Sequence, residues 1–144
     1  MKNRGIYVGV LAAFTMLLLF SLGSGVWGGS DGVHWTEQLF MGVCHQLPDR
    51  TFTFMGERMA VNTRCFGIFL GLWIGWVVIP LFNDKIAEKK WPLFCLLFAG
   101  LLQIIDYSGN LFLLWENTNS SRFVLGTPLG FFSSLIIADL FQSK

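Results

Sequence analysis

Four long apolar runs, at about residues 5–27, 66–82, 92–115 and 123–141, alternate with short polar stretches along the chain. A helix crosses the bilayer core with roughly 20 apolar residues, and each run approaches that length. The second and fourth are the shorter, which predicts little tilt or partial burial among neighbours. The pattern predicts an all-α integral membrane fold: a four transmembrane helix bundle forming a single membrane domain over 1–144. A polar insert at 28–65 separates the first run from the second. In it, Gly28-Gly29-Ser30-Asp31-Gly32 reads as a turn with Ser30 or Asp31 available as a helix cap. Residues 33–46 then read as a short outer helix ended by Pro48, with Trp35, Leu39 and Val43 sharing one face that lies apolar side down. Residues 51–61 alternate around Gly56 and predict a small β-hairpin, which would carry Cys65 back toward Cys44.

A second periodicity runs through the apolar segments. Gly67, Gly71 and Gly75 recur every four residues in the second run, and Gly126, Gly130, Ser134 and Ala138 do so in the fourth. Small residues at this spacing make a flat ridge on which another helix backbone can approach closely. Such contacts gain dispersion energy where lipid supplies no hydrophobic drive. The two ridges predict that the second and fourth helices pack on each other.

Composition agrees with a membrane setting: 53% of the 144 residues are hydrophobic, 13% are charged, and six are tryptophan, a residue that favours the headgroup level. The net charge of +1, without a basic patch interleaved with aromatics, gives no nucleic-acid partner. Charge is also segregated. Lys2, Arg4, Lys85, Lys89, Lys90 and Lys144 fall on one side of a four-span arrangement. Arg50, Arg58, Arg64 and Arg122 fall on the other, beside most of the acids. An excess of lysine and arginine marks the cytoplasmic side, so both termini are expected there and the 28–65 insert outside. The first run also has a rival reading as a secretory signal peptide, because Lys2 and Arg4 precede it and small residues close it, although it exceeds a typical signal core of about 7–15 residues.

Few polar residues interrupt the spans, and those need a reason. Gln103, Asp106 and Asn110 form one helical stripe in the third run. An acid at a helix centre costs about 2.5–3.5 kcal/mol to insert, so Asp106 should face protein or water. Alternatively the helix breaks near Ile105, and Asp106 caps a short surface helix. Either way Arg64 or Arg122 is placed to neutralise it. Cys95, in an apolar run, reads as a small hydrophobe, His34 as a surface histidine, and Asp139 as a solvated residue without a role. Cys44 and Cys65 are the sharper pair. Outside the cytoplasm they could form a structural disulfide, worth about 3 kcal/mol for a loop of some twenty residues. They could instead be reactive, Arg64 lowering the pKa of its neighbour Cys65, or ligate zinc together with His45 or Asp106. Adjacent side chains on a helix do not face each other, which disfavours a direct Cys44–His45 catalytic pair. No Cys-x-x-Cys knuckle is present.

Several of these elements in order resemble a family of small bacterial and archaeal membrane proteins, the domain of unknown function 2085. The resemblance covers about Leu39 to Gly130. It rests on Cys44-His45-Gln46 with Arg50, on Arg64-Cys65-Phe66-Gly67-Ile68 entering a helix, on Asp106 late in the next span, and on Asn119, Arg122 and Gly126. It implies a polytopic membrane protein whose polar motif residues cluster, and it implies no activity; the expected location is a bacterial inner or plasma membrane. Many members carry Cys-x-Arg-Cys where this chain has Asn62-Thr63-Arg64-Cys65, so a three-cysteine zinc site is weakened here.

Three function classes follow. The first is an outward-facing enzyme, redox or metal protein, with Cys44, His45, Cys65 and Asp106 as candidate catalytic or metal-ligating residues. Arg50, Arg64, Asn119 and Arg122 would then hold an anionic lipid or phosphate group, since guanidinium matches phosphate through paired donors; their alternative is interfacial anchoring. The second is a structural or accessory membrane protein with a Cys44–Cys65 disulfide. The third is a small oligomeric transporter, which the absence of an internal repeat disfavours. No phosphate-cradling glycine loop, Gly-x-Ser-x-Gly elbow or His-Glu-x-x-His motif is present.

Overall fold

A computed structural model describes residues 4–29, 32–82 and 90–142. The Ser30 or Asp31 cap, and Lys2, Lys85, Lys89 and Lys144 of the charge argument, lie outside the described residues. Six helices and one hairpin follow in chain order: α1 (Arg4–Ser21), α2 (Ser24–Trp27), α3 (Trp35–Phe40), β1 (Thr53–Phe54), β2 (Glu57–Arg58), α4 (Thr63–Phe82), α5 (Trp91–Leu111) and α6 (Asn119–Gln142). A single 3-10 turn, Pro48–Arg50, precedes the hairpin. Helices α1, α4, α5 and α6 are long and apolar enough to cross a membrane.

The span boundaries differ from the hydropathy pattern for local reasons. The first run breaks at Gly23, whose φ of +74° leaves the helical region and starts α2 at an angle. A side chain there would also strike the backbone of Arg58 and Ala60, so this glycine both turns the chain and admits the hairpin. The third run stops at Leu111, not 115. Leu113 takes a φ of +57°, with Leu114 N–H donating to the Gly109 carbonyl and Leu113 N–H to that of Asn110. This is a Schellman C-cap with leucine where glycine is usual, so composition could not signal it. Helix α4 begins three residues before the apolar run and α6 four, because Thr63, Arg64, Asn119 and Arg122 are polar residues on helical turns.

The two small-residue ridges meet. Methyl groups at Gly67, Gly71 and Gly75 would strike the backbone of Phe123, Thr127 and Phe131, and methyls at Gly126 and Gly130 would strike the carbonyls of Arg64 and Ile68. Helices α4 and α6 are therefore in backbone contact along their length, as the spacing predicts. Trp76, fully buried, packs with Ile79, Leu135 and Ala138 beneath them. Helix α1 closes this core with Tyr7, Val10, Leu11 and Phe14, and the Trp76 indole N–H donates to the Tyr7 carbonyl at 3.0 Å. Helix α5 lies on α6 and turns Leu97, Phe98, Leu101 and Ile104 outward.

At one end of the bundle the insert forms a cap. The hairpin pairs Thr53 with Arg58 and Phe54 with Glu57 around Met55-Gly56, both at positive φ, as a two-residue turn requires. Met59, Ala60 and Val61 then bury, and Ala60 N–H donates to the Ser21 carbonyl at 3.0 Å. The outer helix is shorter than expected, spanning only Trp35–Phe40, and it buries Thr36 and Phe40. Trp35, Leu39 and Val43 are exposed on the protein, as a face turned to lipid would be, while the Phe40 ring packs on Phe69 of α4.

Candidate functional site

The cap and three helix ends enclose a cleft of about 120 Å³. Its walls include Cys44, His45 and Arg50 from the cap, Asn62, Arg64 and Cys65 from the start of α4, Asn110 near the end of α5, and Asn117 and Arg122 around the start of α6. The sulfur-bearing, imidazole and guanidinium candidates singled out in the sequence thus share one opening. Asp106 stands behind it and Asn119 beside it.

Each side chain is placed by a local device. Gln46, at φ +47°, donates its amide to the Glu37 carbonyl at 2.6 Å and the Ala60 carbonyl at 3.0 Å. It ties the end of α3 to the strand leading into α4 and so fixes Cys44 against Asn62. Nothing in its sequence context signals this strap. Thr51 donates to the Leu47 carbonyl at 2.8 Å and anchors the turn that carries Arg50. Arg64 and Arg122 lie one helical turn before Gly67 and Gly126, so the close approach of α4 and α6 sets the two guanidiniums in the same cleft.

Helix α5 runs unbroken past Ile105, which excludes the alternative in which Asp106 caps a separate surface helix. Its carboxylate is bound twice through one oxygen: Arg64 Nη2 and Asn117 Nδ2 each stand 2.7 Å from Oδ2. This is the one ion pair among the described residues. Asn119 accepts a hydrogen bond from Arg122 Nη1 at 3.2 Å, which orients that guanidinium. Arg50 and Arg122 have no carboxylate partner among the described residues, and Arg64 Nε is buried without an acceptor. In the same stripe, the Gln103 amide is buried with neither of its polar atoms partnered.

The sulfurs are held differently. Cys44 is 4% exposed and packs against Cys65, so the hairpin returns the chain as expected. All three cysteines are thiols in this structure. Cys44 Sγ accepts the Asn62 N–H at 3.2 Å. The neighbouring Cys65 thiol, followed by the Asn62 and Gln46 N–H groups and the charge of His45, pulls the Cys44 pKa down to about 6 against the opposing effect of burial. His45 is exposed at the cleft rim. His34 is a helix cap, its Nδ1 standing 2.6 Å from Thr36 Oγ1. No three His, Cys, Asp or Glu side chains among the described residues come close enough to share a metal ion. Cys44, His45, Cys65 and Asp106 form no such group among the described residues, and the Asp106 carboxylate is held by Arg64 and Asn117.

Comparison with known proteins places this geometry in a family. A family model described as "Predicted membrane protein (DUF2085)" matches residues 44–136, which hold most of the cleft and the α4–α6 pair. The chain belongs to this family. It is 36% identical over 100 residues to an uncharacterized protein of Methanocaldococcus jannaschii, covering 69% of this chain and 64% of that protein. It is 35% identical over 96 residues to an uncharacterized protein of Methanothermobacter thermautotrophicus, covering 63% of this chain and 80% of the relative. Both relatives are archaeal, which gives the expected bacterial membrane no support. No solved structure matches the chain. A DUF2085 protein is thus a membrane protein whose matched region carries an arginine-rich, thiol-bearing cleft in this chain.

Proposed function

We propose that the cleft binds an anionic group of the phosphate class at the outer surface of the membrane. The carrying observation is that Arg50, Arg64 and Arg122 line one small opening while a single carboxylate, Asp106, answers them. Like charges gathered by backbone packing repel one another, and a bound anion relieves that repulsion. Guanidinium is the side chain best shaped for paired donors to phosphate oxygens. Asn62, Asn110 and Asn117 on the same walls supply further polar groups.

Two sources of the anion share this chemistry: free phosphate and a phospholipid headgroup. The rim favours access from the headgroup layer, because Val43 and Tyr107 line the cleft and are exposed, beside exposed Leu111, Phe112, Leu113 and Leu114. The lysine asymmetry supports placing the cleft outside and both termini in the cytoplasm.

The test is binding to purified protein in nanodiscs. Inorganic phosphate is titrated in neutral phosphatidylcholine discs, and native mass spectrometry counts phosphatidylglycerol retained from mixed discs. Arg50→Gln, which breaks no ion pair, should weaken the binding by about tenfold, the scale of one charge-assisted hydrogen bond. Retention of phosphatidylglycerol without phosphate affinity identifies the lipid; the reverse identifies the free ion. Arg50→Gln and Arg122→Gln proteins that bind both anions like the parent would overturn the reading.

A further inference from the structure

Anion binding leaves the two sulfurs of the cleft unused, although both line it and neither is bonded to another sulfur in this structure. We propose that Cys44 and Cys65 form a thiol–disulfide exchange centre whose substrate is the disulfide of a small acidic thiol. The acidity of that substrate rests on the arginine reading above; the exchange rests on the sulfurs alone.

Three observations carry the exchange. The sulfurs belong to separate elements that the cap brings into contact: Cys44 to the irregular segment after α3, Cys65 to the first turn of α4. Cys44 Sγ is the acceptor of the Asn62 N–H, a contact that favours the thiolate over the thiol. Finally, both line an opening that also holds three guanidiniums, so an incoming anionic disulfide is drawn to the sulfur that must attack it. A structural disulfide needs neither the opening nor the arginines.

The chemistry balances without a further reagent. Cys44 thiolate attacks one sulfur of the substrate, the substrate S–S bond breaks, and one half leaves as a thiolate that takes a proton from water. The product is a mixed disulfide on Cys44. Cys65 then gives up its proton and attacks Cys44 Sγ, forming the Cys44–Cys65 bond and releasing the second half, which is protonated in turn. Two protein thiols are oxidised to one disulfide, and one substrate disulfide is reduced to two thiols. The segment bearing Cys44 contains Gly42 and no regular helix, so no helical hydrogen bond of its own opposes the new bond.

The experiment uses the full chain in detergent with Cys95→Ser as the background, since Cys95 is the remaining thiol. The reduced protein meets two probes: dithiobis(nitrobenzoate), a dianionic aromatic disulfide, and uncharged dithiodipyridine. Two leaving groups per chain are expected from the parent, one leaving group and a stable adduct from Cys65→Ser, and a reaction at least about tenfold slower from Cys44→Ser. Arg50→Gln should slow the anionic probe by about tenfold and leave the neutral probe within about twofold. A single equivalent from the parent, or two equivalents that leave two probe adducts on the chain by intact mass, overturns the exchange. So does protein purified with a Cys44–Cys65 bond that millimolar glutathione fails to open, which would be a structural disulfide. Equal effects of Arg50→Gln on both probes overturn only the acidic substrate and count against the anion reading.

Discussion

Helices α4 and α6 contain two regions that could hardly differ more, and they are one turn apart. Below Gly67 and Gly126 the helices meet backbone to backbone, with the small Ser134 side chain set against Gly75. Above, at Arg64 and Arg122, the same approach forces two cations into one cleft, whose other walls come from the cap, the end of α5 and the segment before α6. The lower region gains stability from closeness, since dispersion between well-fitted surfaces is what holds helices together in lipid. The upper region spends some of it, because paired guanidiniums and a sequestered thiol are tolerated only where packing elsewhere holds them. The comparison explains why each helix carries one arginine about a turn before its first ridge glycine: the ridge is the positioning device for the cleft.

The largest effect expected is from the ridge. Gly71→Leu places a side chain on the Thr127 carbonyl, which belongs to a helix backbone and cannot give way. Loss of about 3 kcal/mol or more is expected, read as a lowered melting temperature in detergent, and anion binding should fall with it. Anion binding retained by a separated α4–α6 pair would break the link between the two regions.

Asp106→Asn acts in the cleft alone. Removing one partner of a sequestered ion pair leaves the Arg64 charge uncompensated, and with the pair partly exposed the cost should be about 1–3 kcal/mol. Anion affinity should rise in the same variant, by several-fold, because the competing carboxylate has gone. A drop in both would show that Asp106 shapes the cleft more than it balances it.

The Cys44 thiol gives a pH signature. Its folded pKa is lowered, so the thiolate is the dominant form at neutral pH and is lost as pH falls through about 6. Reaction with the neutral disulfide probe, in the Cys95→Ser background, should therefore rise across that range and be flat by pH 8. An ordinary thiol would still be climbing, with a midpoint near 8.5. The charged groups lining the same cleft are Arg64 on α4, His45 beside it, Arg50 on the turn and Arg122 on α6, with the Cys65 thiol as its hydrogen-bond partner. Smallest is Leu113→Gly, which relieves a left-handed leucine and should stabilise the α5 terminus by about 1 kcal/mol without altering either region's function.

Much of this was legible in order and spacing. The four spans, the ridges on the second and fourth, the hairpin around Gly56 and the residues that would gather at one end all follow from periodicity and from the cost of burying charge in lipid. The misreadings were local. The pattern predicts one helix over residues 33–46, and the helix ends at Phe40. The α5 terminus was set four residues late because a leucine occupies a glycine's conformation. Gln46 stands out in the Cys44-His45-Gln46 step, but its role does not, since a strap between two carbonyls leaves no pattern in one dimension.

The chain alone determines that apolar helices form, which of their faces are smooth, and that its rare polar residues must find partners, because those are properties of each residue against lipid and water. Which partner each one finds was decided only by the fold. Asp106 was equally suited on paper to a metal, a cap or an arginine, and became an arginine's partner because α5 continues and Asn117 returns to it. The distance between two side chains from separate elements depends on every crossing angle and turn between them, and no single segment encodes it.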